Sequence, residues 1–362
     1  MKIGILGTRG IPNHYGGFEQ FTQFLAPALV KKGHQVFVYN SHLHPYQQKE
    51  WNGVQIIHCK DPEHKLGTFG QFLYDLNCNR DARQQNYDVL LHFGYSSDSI
   101  WWRRWPKNTI NIVNMDGLEW KRTKYNWLTR KFLKRAESLA AKHSHIMIAD
   151  SPAMQEYLFT TYKIKPVYIP YPAAVFIEAD PATLNSYNLT PYEYLLLIAR
   201  MEPENNIEMV ITGYLGSGHH YPLIIIGNTD NKTGRYLTSK YKHTKIIFAG
   251  PVYDDLVLNN IRHYSSLYFH GHSVGGTNPS LLEAMACGCN VAAHNNIFNK
   301  AVLQQEADFF SSAAEVAAII NKPKIGSTND QNRIRNIEKI RNIYDPVKIV
   351  NAYEELLLHA CQ

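Results

Sequence analysis

The stretch that most narrows the choice of fold is residues 2–39. It reads as an apolar strand over 2–7, a glycine-bearing loop, an amphipathic helix over about 19–32 and a second strand, V-F-V-Y. Phe21, Phe24, Leu25, Ala28 and Leu29 recur at helical spacing, and Gly33 ends the run. Two parallel strands need a crossover of this kind, so the unit predicts the opening of a doubly wound α/β sheet. Gly4, Gly7 and Gly10 form a G-x-x-G-x-x-G that could belong to a dinucleotide fold. The second strand, however, ends in Tyr39-Asn40, without the acid that would hold a cofactor ribose. The loop is also long, and its tightest glycines, Gly16 and Gly17, come just before the helix. Both observations count against NAD.

The pattern continues along the chain. Strands are expected over 54–58, 89–92, 110–115 and 145–149, with a helix around 70–83. Proline density at Tyr168-Ile169-Pro170-Tyr171-Pro172 marks a linker. A second series follows, with strands over 194–199, 223–227, 245–250 and 267–270 and helices over about 207–214 and 254–263. The reading is an α/β chain of two doubly wound domains facing a cleft, 1–168 and 169–345. A final helix, within 346–362, is expected to fold back on the first domain. At 362 residues each half is large enough for its own core.

The net charge of +6 is unevenly spread: residues 1–170 hold 22 Lys/Arg against 13 Asp/Glu, and the remainder 15 against 18. A basic first half favours an anionic partner. Two basic-aromatic segments stand out, W-W-R-R-W at 101–105 and K-R-T-K-Y-N-W-L-T-R-K-F-L-K-R at 121–135. The second reads as a helix with an apolar stripe of Tyr125, Leu128 and Phe132 and seven Lys/Arg on its other faces. It is either a surface helix docked by that stripe or an attachment to an anionic membrane. No nucleic-acid-binding module is present, so no nucleic-acid partner is expected. Five scattered cysteines offer neither a disulfide framework nor a zinc spacing, and Cys287 and Cys289 read as packing residues. The first strand is too short for a signal-peptide core, and no apolar run approaches the roughly 20 residues of a membrane span. A cytoplasmic protein, peripheral at most, is the expectation.

The chemistry concentrates in residues 270–293, H-G-H-S-V-G-G-T-N-P-S-L-L-E-A-M-A-C-G-C-N-V-A-A. Gly275, Gly276, Thr277 and Asn278 can present backbone N–H groups at a helix start, which suits a phosphate or another anionic oxygen. Glu283, mid-helix, can accept hydrogen bonds from vicinal sugar hydroxyls. An ordinary glycine turn before a core helix would give the same pattern.

P-S-L-L-E-A-M-A-C-G resembles the donor-site signature of the retaining glycosyltransferases of family 4, which have the GT-B fold of two Rossmann-like domains. G-T-R-G-I-P-x-x-Y-G-G-F-E, D-G-L-E-W-K-R and G-G-T-N-P-S-L-L-E-A-M together are similar to a bacterial subgroup often described as rhamnosyltransferases. The resemblance implies a nucleotide-diphosphate sugar as donor substrate, a saccharide or lipid-linked acceptor, and no cofactor or metal. Arg200, in R-M-E-P-E-N-N-I, would grip the donor diphosphate, and Gly16 and Gly17 would let backbone approach it. The Gly276, Thr277 and Asn278 amides would hold the sugar or disperse charge on the departing phosphate. Glu283 would take the ribose hydroxyls. Asp116, in M-D-G, would face the sugar, orienting a hydroxyl or stabilising positive charge at the anomeric carbon; a plain turn residue before Gly117 is the other reading. Two departures stand out. Gly275 occupies the place of the family's first glutamate, and Asn205 that of its lysine. Arg9 and His272 are the candidate replacement cations. A deoxy sugar such as rhamnose fits the missing acid. A GT-B-fold epimerase or phosphorylase is a second enzyme reading, although no pyridoxal-phosphate lysine can be placed. A non-catalytic GT-B-fold binding partner is the reading from a different class.

Overall fold

Short runs of Ile, Leu and Val, buried on both faces, build two largely parallel sheets, as strands covered by helices on either side require. The computed structural model describes residues 1–14, 16–115, 117–122, 125–242, 244–322 and 331–362. The chain divides into two compact units: Met1–Lys121, Tyr125–Tyr171 and Val347–Gln362 form the first, Arg122–Lys124 and Pro172–Pro346 the second.

The first unit contains β1 (Lys2–Leu6), β2 (Gln35–Ser41), β3 (Glu50–Trp51), β4 (Val54–Cys59), β5 (Val89–Phe93), β6 (Ile110–Asn114), β7 (Ile146–Ala149) and β8 (Val167–Tyr168). They form one sheet in the order β3-β4-β2-β1-β5-β6-β7-β8, in which only the β3–β4 pair is antiparallel among the pairings described. Helices α1 (Gly17–Lys31), α2 (Glu63–Leu66), α3 (Thr68–Ala82), α4 (Trp127–His143) and α5 (Pro152–Tyr162) connect the strands. Ile3, Ile5, Val36, Val38, Leu91 and Ile112 share a core with Leu25 and Leu29 of α1. The strand order reverses at β1, between β2 and β5, and the glycine loop leaves the sheet there. Gly7, at φ +86°, is required by close approach: a Cβ would sit 2.1 Å from the Phe93 carbonyl oxygen of β5.

The second unit contains β9 (Leu195–Ile198), β10 (Leu223–Ile226), β11 (Ile246–Gly250), β12 (Leu267–His270), β13 (Val291–His294) and β14 (Asp308–Phe310), ordered β11-β10-β9-β12-β13-β14. Its helices are α6 (Ile207–Ser217), α7 (Lys232–Lys240), α8 (Asp255–His263), α9 (Pro279–Ala286), α10 (Ile297–Leu303), α11 (Ala313–Ile320) and α12 (Gln331–Ile343). The last helix, α13 (Pro346–Ala360), places Ile349, Val350, Tyr353 and Leu357 in the core of the first unit.

The segment read as a helix over 121–135 differs in two ways. Its helix, α4, starts only at Trp127, where the Asn126 side chain caps it by accepting from the Thr129 amide at 2.9 Å. Its buried residues are Leu133, Ala136, Glu137 and Ala140, whereas Leu128 and Phe132 of the expected docking stripe are exposed. The buried Glu137 carboxylate draws that face inward. It accepts from Trp120 Nε1 (3.0 Å), Lys134 Nζ (2.8 Å) and the hydroxyls of Tyr157 and Tyr162 (2.6 Å each). A buried charge holds its place only when paired and hydrogen-bonded in this way.

The attachment of α13 gives a direct test. Asn114 Nδ2 on β6 donates to the buried Tyr353 hydroxyl at 2.7 Å. Tyr353→Phe leaves that amide buried without its partner and should lower unfolding stability by about 1–3 kcal/mol. Urea unfolding measures it; an unchanged midpoint would show that the hydroxyl does not help hold α13.

Candidate functional site

In an open α/β sheet, ligands gather where the strand order reverses, beyond the carboxyl ends of the strands. In the second unit that place is β9, flanked by β10 and β12. The chain leaving β9 carries Arg200, and the chain leaving β12 is the glycine-rich stretch from Gly271 onward. The two segments are laced together. Asn206 Nδ2 donates to the Gly271 carbonyl at 2.8 Å, and the Ser273 amide and hydroxyl both donate to the Glu204 carbonyl, at 3.0 and 2.8 Å. Gly271 permits this contact, since a Cβ there would lie 2.1 Å from the Asn205 carbonyl oxygen. Arg200 itself is exposed, and its carbonyl accepts from the Glu202 amide and Asn205 Nδ2, each at 2.7 Å. Asn205, where the resemblance has a lysine, is buried inside this turn and serves its backbone.

The glycine turn meets α9 differently from the expectation of a helix start with several open N–H groups. Pro279, at the first helical position, has no N–H, and the Ser280 amide is taken by the Asn278 side chain at 3.0 Å. Any donors offered to an anion must come from the turn at Gly275, Gly276, Thr277 and Asn278. Gly275 has φ +132° and open space around it, so a glutamate there would meet backbone strain, not a clash. The missing family acid thus goes with a turn shaped for glycine.

Glu283, half-buried on α9, pairs with Arg262 Nη2 of α8, whose guanidinium is buried and also donates from Nη1 to Asn259 Oδ1 at 2.8 Å. Burial pushes the Glu283 carboxyl above its ordinary pKa, against the pull of Arg262. Arg262 escaped sequence reasoning: one arginine in an amphipathic helix gives no sign of being buried. Cys287 and Cys289, just past α9, are buried free thiols, and burial raises both pKa values.

The two candidate replacement cations sit in different surroundings. His272 is uncharged near neutrality. Burial, with the neighbouring charges of Arg200 and Arg122, lowers its pKa to about 4. The His270 ring stacks on it at 4.4 Å and is pushed well below its ordinary value, chiefly by burial. Arg9 holds Glu63 in a two-pronged pair, with Nη2–Oε1 at 2.7 Å and Nε–Oε2 at 3.2 Å, so its fork is already engaged.

Within the first unit, Gly16 caps α1 in an extended conformation and Gly17 begins the helix. The loop before them is held by residues whose sequence signal was read otherwise. Asn40, noted only for not being an acid, accepts from the Ile11 amide at 3.0 Å and donates to the Ile11 carbonyl at 2.8 Å. Buried Glu19 accepts from the Arg9 amide at 2.8 Å. Asp116 lies outside the described residues. Among the described residues, no three His, Cys, Asp or Glu side chains converge as a metal site.

Solved structures share this architecture. Sucrose-phosphate synthase from Thermosynechococcus elongatus matches with a TM-score of 0.81 at 16% identity, covering 99% of this chain and 98% of that one. Anabaena HepE in complex with UDP and glucose matches at 0.76 and 15%, over 99% and 100% of the two chains. WaaG, a glycosyltransferase involved in lipopolysaccharide biosynthesis, matches at 0.70 and 12%, over 97% and 99%. At such identities the likeness is one of fold: an α/β, Rossmann-like fold of the GT-B glycosyltransferase type. Residues 184–336 match the family described as glycosyl transferases group 1. Residues 107–174 match a domain of unknown function, DUF1972. No curated protein matches the chain.

Because the folded state holds His272 neutral, its contribution to stability is complete above its ordinary pKa of 6.5 and is lost as pH falls toward about 4. His272→Asn should therefore show a shallower loss of stability over that interval, with His270 still contributing the remainder. Denaturation midpoints across the interval measure this; parallel profiles for the two proteins would contradict the assignment.

Proposed function

We propose that the protein is a glycosyltransferase that moves a sugar from a nucleoside-diphosphate donor to a saccharide or lipid-linked saccharide, in bacterial surface polysaccharide synthesis. The observation that carries this reading is the lacing of the Arg200 loop to the glycine turn at the strand-order reversal of a group 1 domain, with Glu283 on the helix that follows. Arg200 meets the donor diphosphate with a planar, permanently charged fork. Glu283, oriented by Arg262 through one oxygen, offers the other to ribose hydroxyls. Turn amides at Gly276 to Asn278 face the charge that develops on the departing phosphate. Anabaena HepE, of the same fold, has been seen with UDP-glucose. Asp116 is proposed to face the sugar, and Gly16 and Gly17 to admit the donor close to backbone.

Rhamnose is the proposed sugar, and retention the proposed stereochemical course. Both rest on the rhamnosyltransferase-like motifs. The glycine-shaped Gly275 supports the first, since it withholds a carboxylate from the sugar hydroxyls. A panel of nucleoside diphosphates and diphospho-sugars in a thermal-shift assay tests the donor claim. One nucleotide should raise the melting temperature selectively. Glu283→Ala should weaken it by about tenfold or more, the scale of a lost hydrogen bond to a charged group. No response to any nucleotide would favour the non-catalytic binding reading. An unchanged affinity in a folded Glu283→Ala would remove Glu283 from the site.

No described helix is long and apolar enough to cross a membrane. The proposed contact with the acceptor's membrane is peripheral and uses α4. Trp127 and Leu128 are 64% and 60% exposed, Phe132 is also exposed, and Lys131 lies 5.1 Å over the Trp127 ring. Exposed Phe69 of α3 extends the apolar surface, with its neighbour Phe72 packed on Phe132 at 5.5 Å. Apolar rings rimmed by cations suit an anionic bilayer surface at the inner face of the membrane. Trp127→Ser combined with Lys131→Gln and Arg135→Gln should lower binding to phosphatidylglycerol vesicles. Lys134 is left intact because it holds Glu137. Equal binding before and after would leave α4 a plain surface helix.

A further inference from the structure

Of the two basic-aromatic segments, the membrane contact proposed above uses only the one on α4. The other, W-W-R-R-W at 101–105, forms the end of a short 3-10 helix, Ser99–Arg104, and the residue after it. Each of its tryptophans is pinned. Trp101 Nε1 donates to the Phe72 carbonyl at 2.8 Å, and buried Trp105 donates through Nε1 to Asp98 Oδ2 at 3.1 Å. The Trp102 ring stacks on His143, the last residue of α4, with centroids 3.6 Å apart. Ser99 fastens the start of the turn, its hydroxyl donating to the Ala136 carbonyl of α4 at 2.7 Å. Arg103 and Arg104, between the pinned rings, are exposed.

Two of these anchors lead to one stripe of α4. Phe72 packs on Phe132, and His143 lies 11 residues beyond Phe132, about three turns along the same face. Exposed Lys142 stands at the same spacing from Lys131. The segment is therefore a strap running beside the exposed face of α4. Arg103 carries its guanidinium 5.0 Å over the Trp102 ring, so positive charge collects around that indole. Burial, together with the charges of Lys142 and Arg103, lowers the His143 pKa. Among the described residues, no ion pair engages Arg103, Arg104 or Lys142. Residues 99–107 and 127–143 together hold eight Lys/Arg and a single acid, the buried Glu137. Like charges massed without counter-charge repel one another, and a surface of opposite charge relieves that repulsion.

We propose that the strap is a second limb of the membrane contact, in which Arg103 and Arg104, with Lys142, bind the anionic headgroups of a phospholipid bilayer. The inference rests on the α4 contact proposed above and adds the strap to it. Cations beside half-buried tryptophans match the boundary between headgroups and acyl chains. Because the rings are already pinned, the arginines are presented with little ordering left for binding to impose.

Cosedimentation of the full chain with phosphatidylglycerol vesicles and with phosphatidylcholine vesicles tests the assignment. Arg103→Gln combined with Arg104→Gln and Lys142→Gln should weaken binding to phosphatidylglycerol by roughly fivefold per charge removed. Binding of this variant should also fall less steeply with added salt than that of the wild type. Arg103→Lys with Arg104→Lys, which keeps the charge, should bind as the wild type does. Equal binding of the wild type and the Gln variant to phosphatidylglycerol would overturn the proposal, even where the Trp127, Lys131 and Arg135 variant binds less. Equal wild-type binding to both kinds of vesicle would overturn it as well. A single-stranded oligonucleotide that binds the wild type and not the Gln variant, with vesicle binding unchanged, would assign the strap to nucleic acid instead. Failure of the wild type to bind either vesicle would overturn the α4 contact on which the inference rests.

Discussion

The second unit depends on one close approach, that of the Gly271 backbone to the Asn205 carbonyl, where a Cβ would lie 2.1 Å from the oxygen. It brings together two segments that leave neighbouring strands of the sheet, β9 and β12. Hydrogen bonds from Asn206 and Ser273 then hold the pair in register. The backbone of Arg200 is fixed by the same turn, through Asn205. A site built this way has its geometry set before any ligand arrives, which limits the ordering that binding must carry out.

That rigidity constrains the charge. Asn205 is buried in the turn, with its side-chain amide given to the Arg200 carbonyl. Burial keeps His270 and His272 neutral, whereas a guanidinium keeps its charge in a partly dry environment. Arg262 illustrates the same economy on the other side of α9. A buried arginine is tolerated because Glu283 and Asn259 meet it, and the pairing in turn sets the direction of the Glu283 carboxylate.

Most of the fold was legible because it rests on periodicity and punctuation. The strand after residue 266 and the helix after 206 follow from apolar runs bounded by turn residues, and the structure agrees at Leu267–His270 and at the start of α6. The basic helix was misread because a stripe of Tyr125, Leu128 and Phe132 looks like a docking face. The buried side is chosen instead by Glu137, an acid whose four partners come from separate parts of the chain. At the candidate site, the glycine turn and Glu283 stood out through residue type and spacing, and Arg200 through the family resemblance. Arg262 and Asn40 did not. Each acts through a partner 21 or 29 residues away, and no local pattern carries that pairing.

The central claim is that the laced loops of the second unit form a nucleoside-diphosphate site. Hydrogen–deuterium exchange, with and without the nucleotide that stabilises the protein, addresses it most directly. The account predicts that bound nucleotide slows exchange in residues 200–206 and 271–283 together, because the two segments are fastened to each other and share the ligand. Slowing confined to any other part of the chain, with these two segments unchanged, would contradict it.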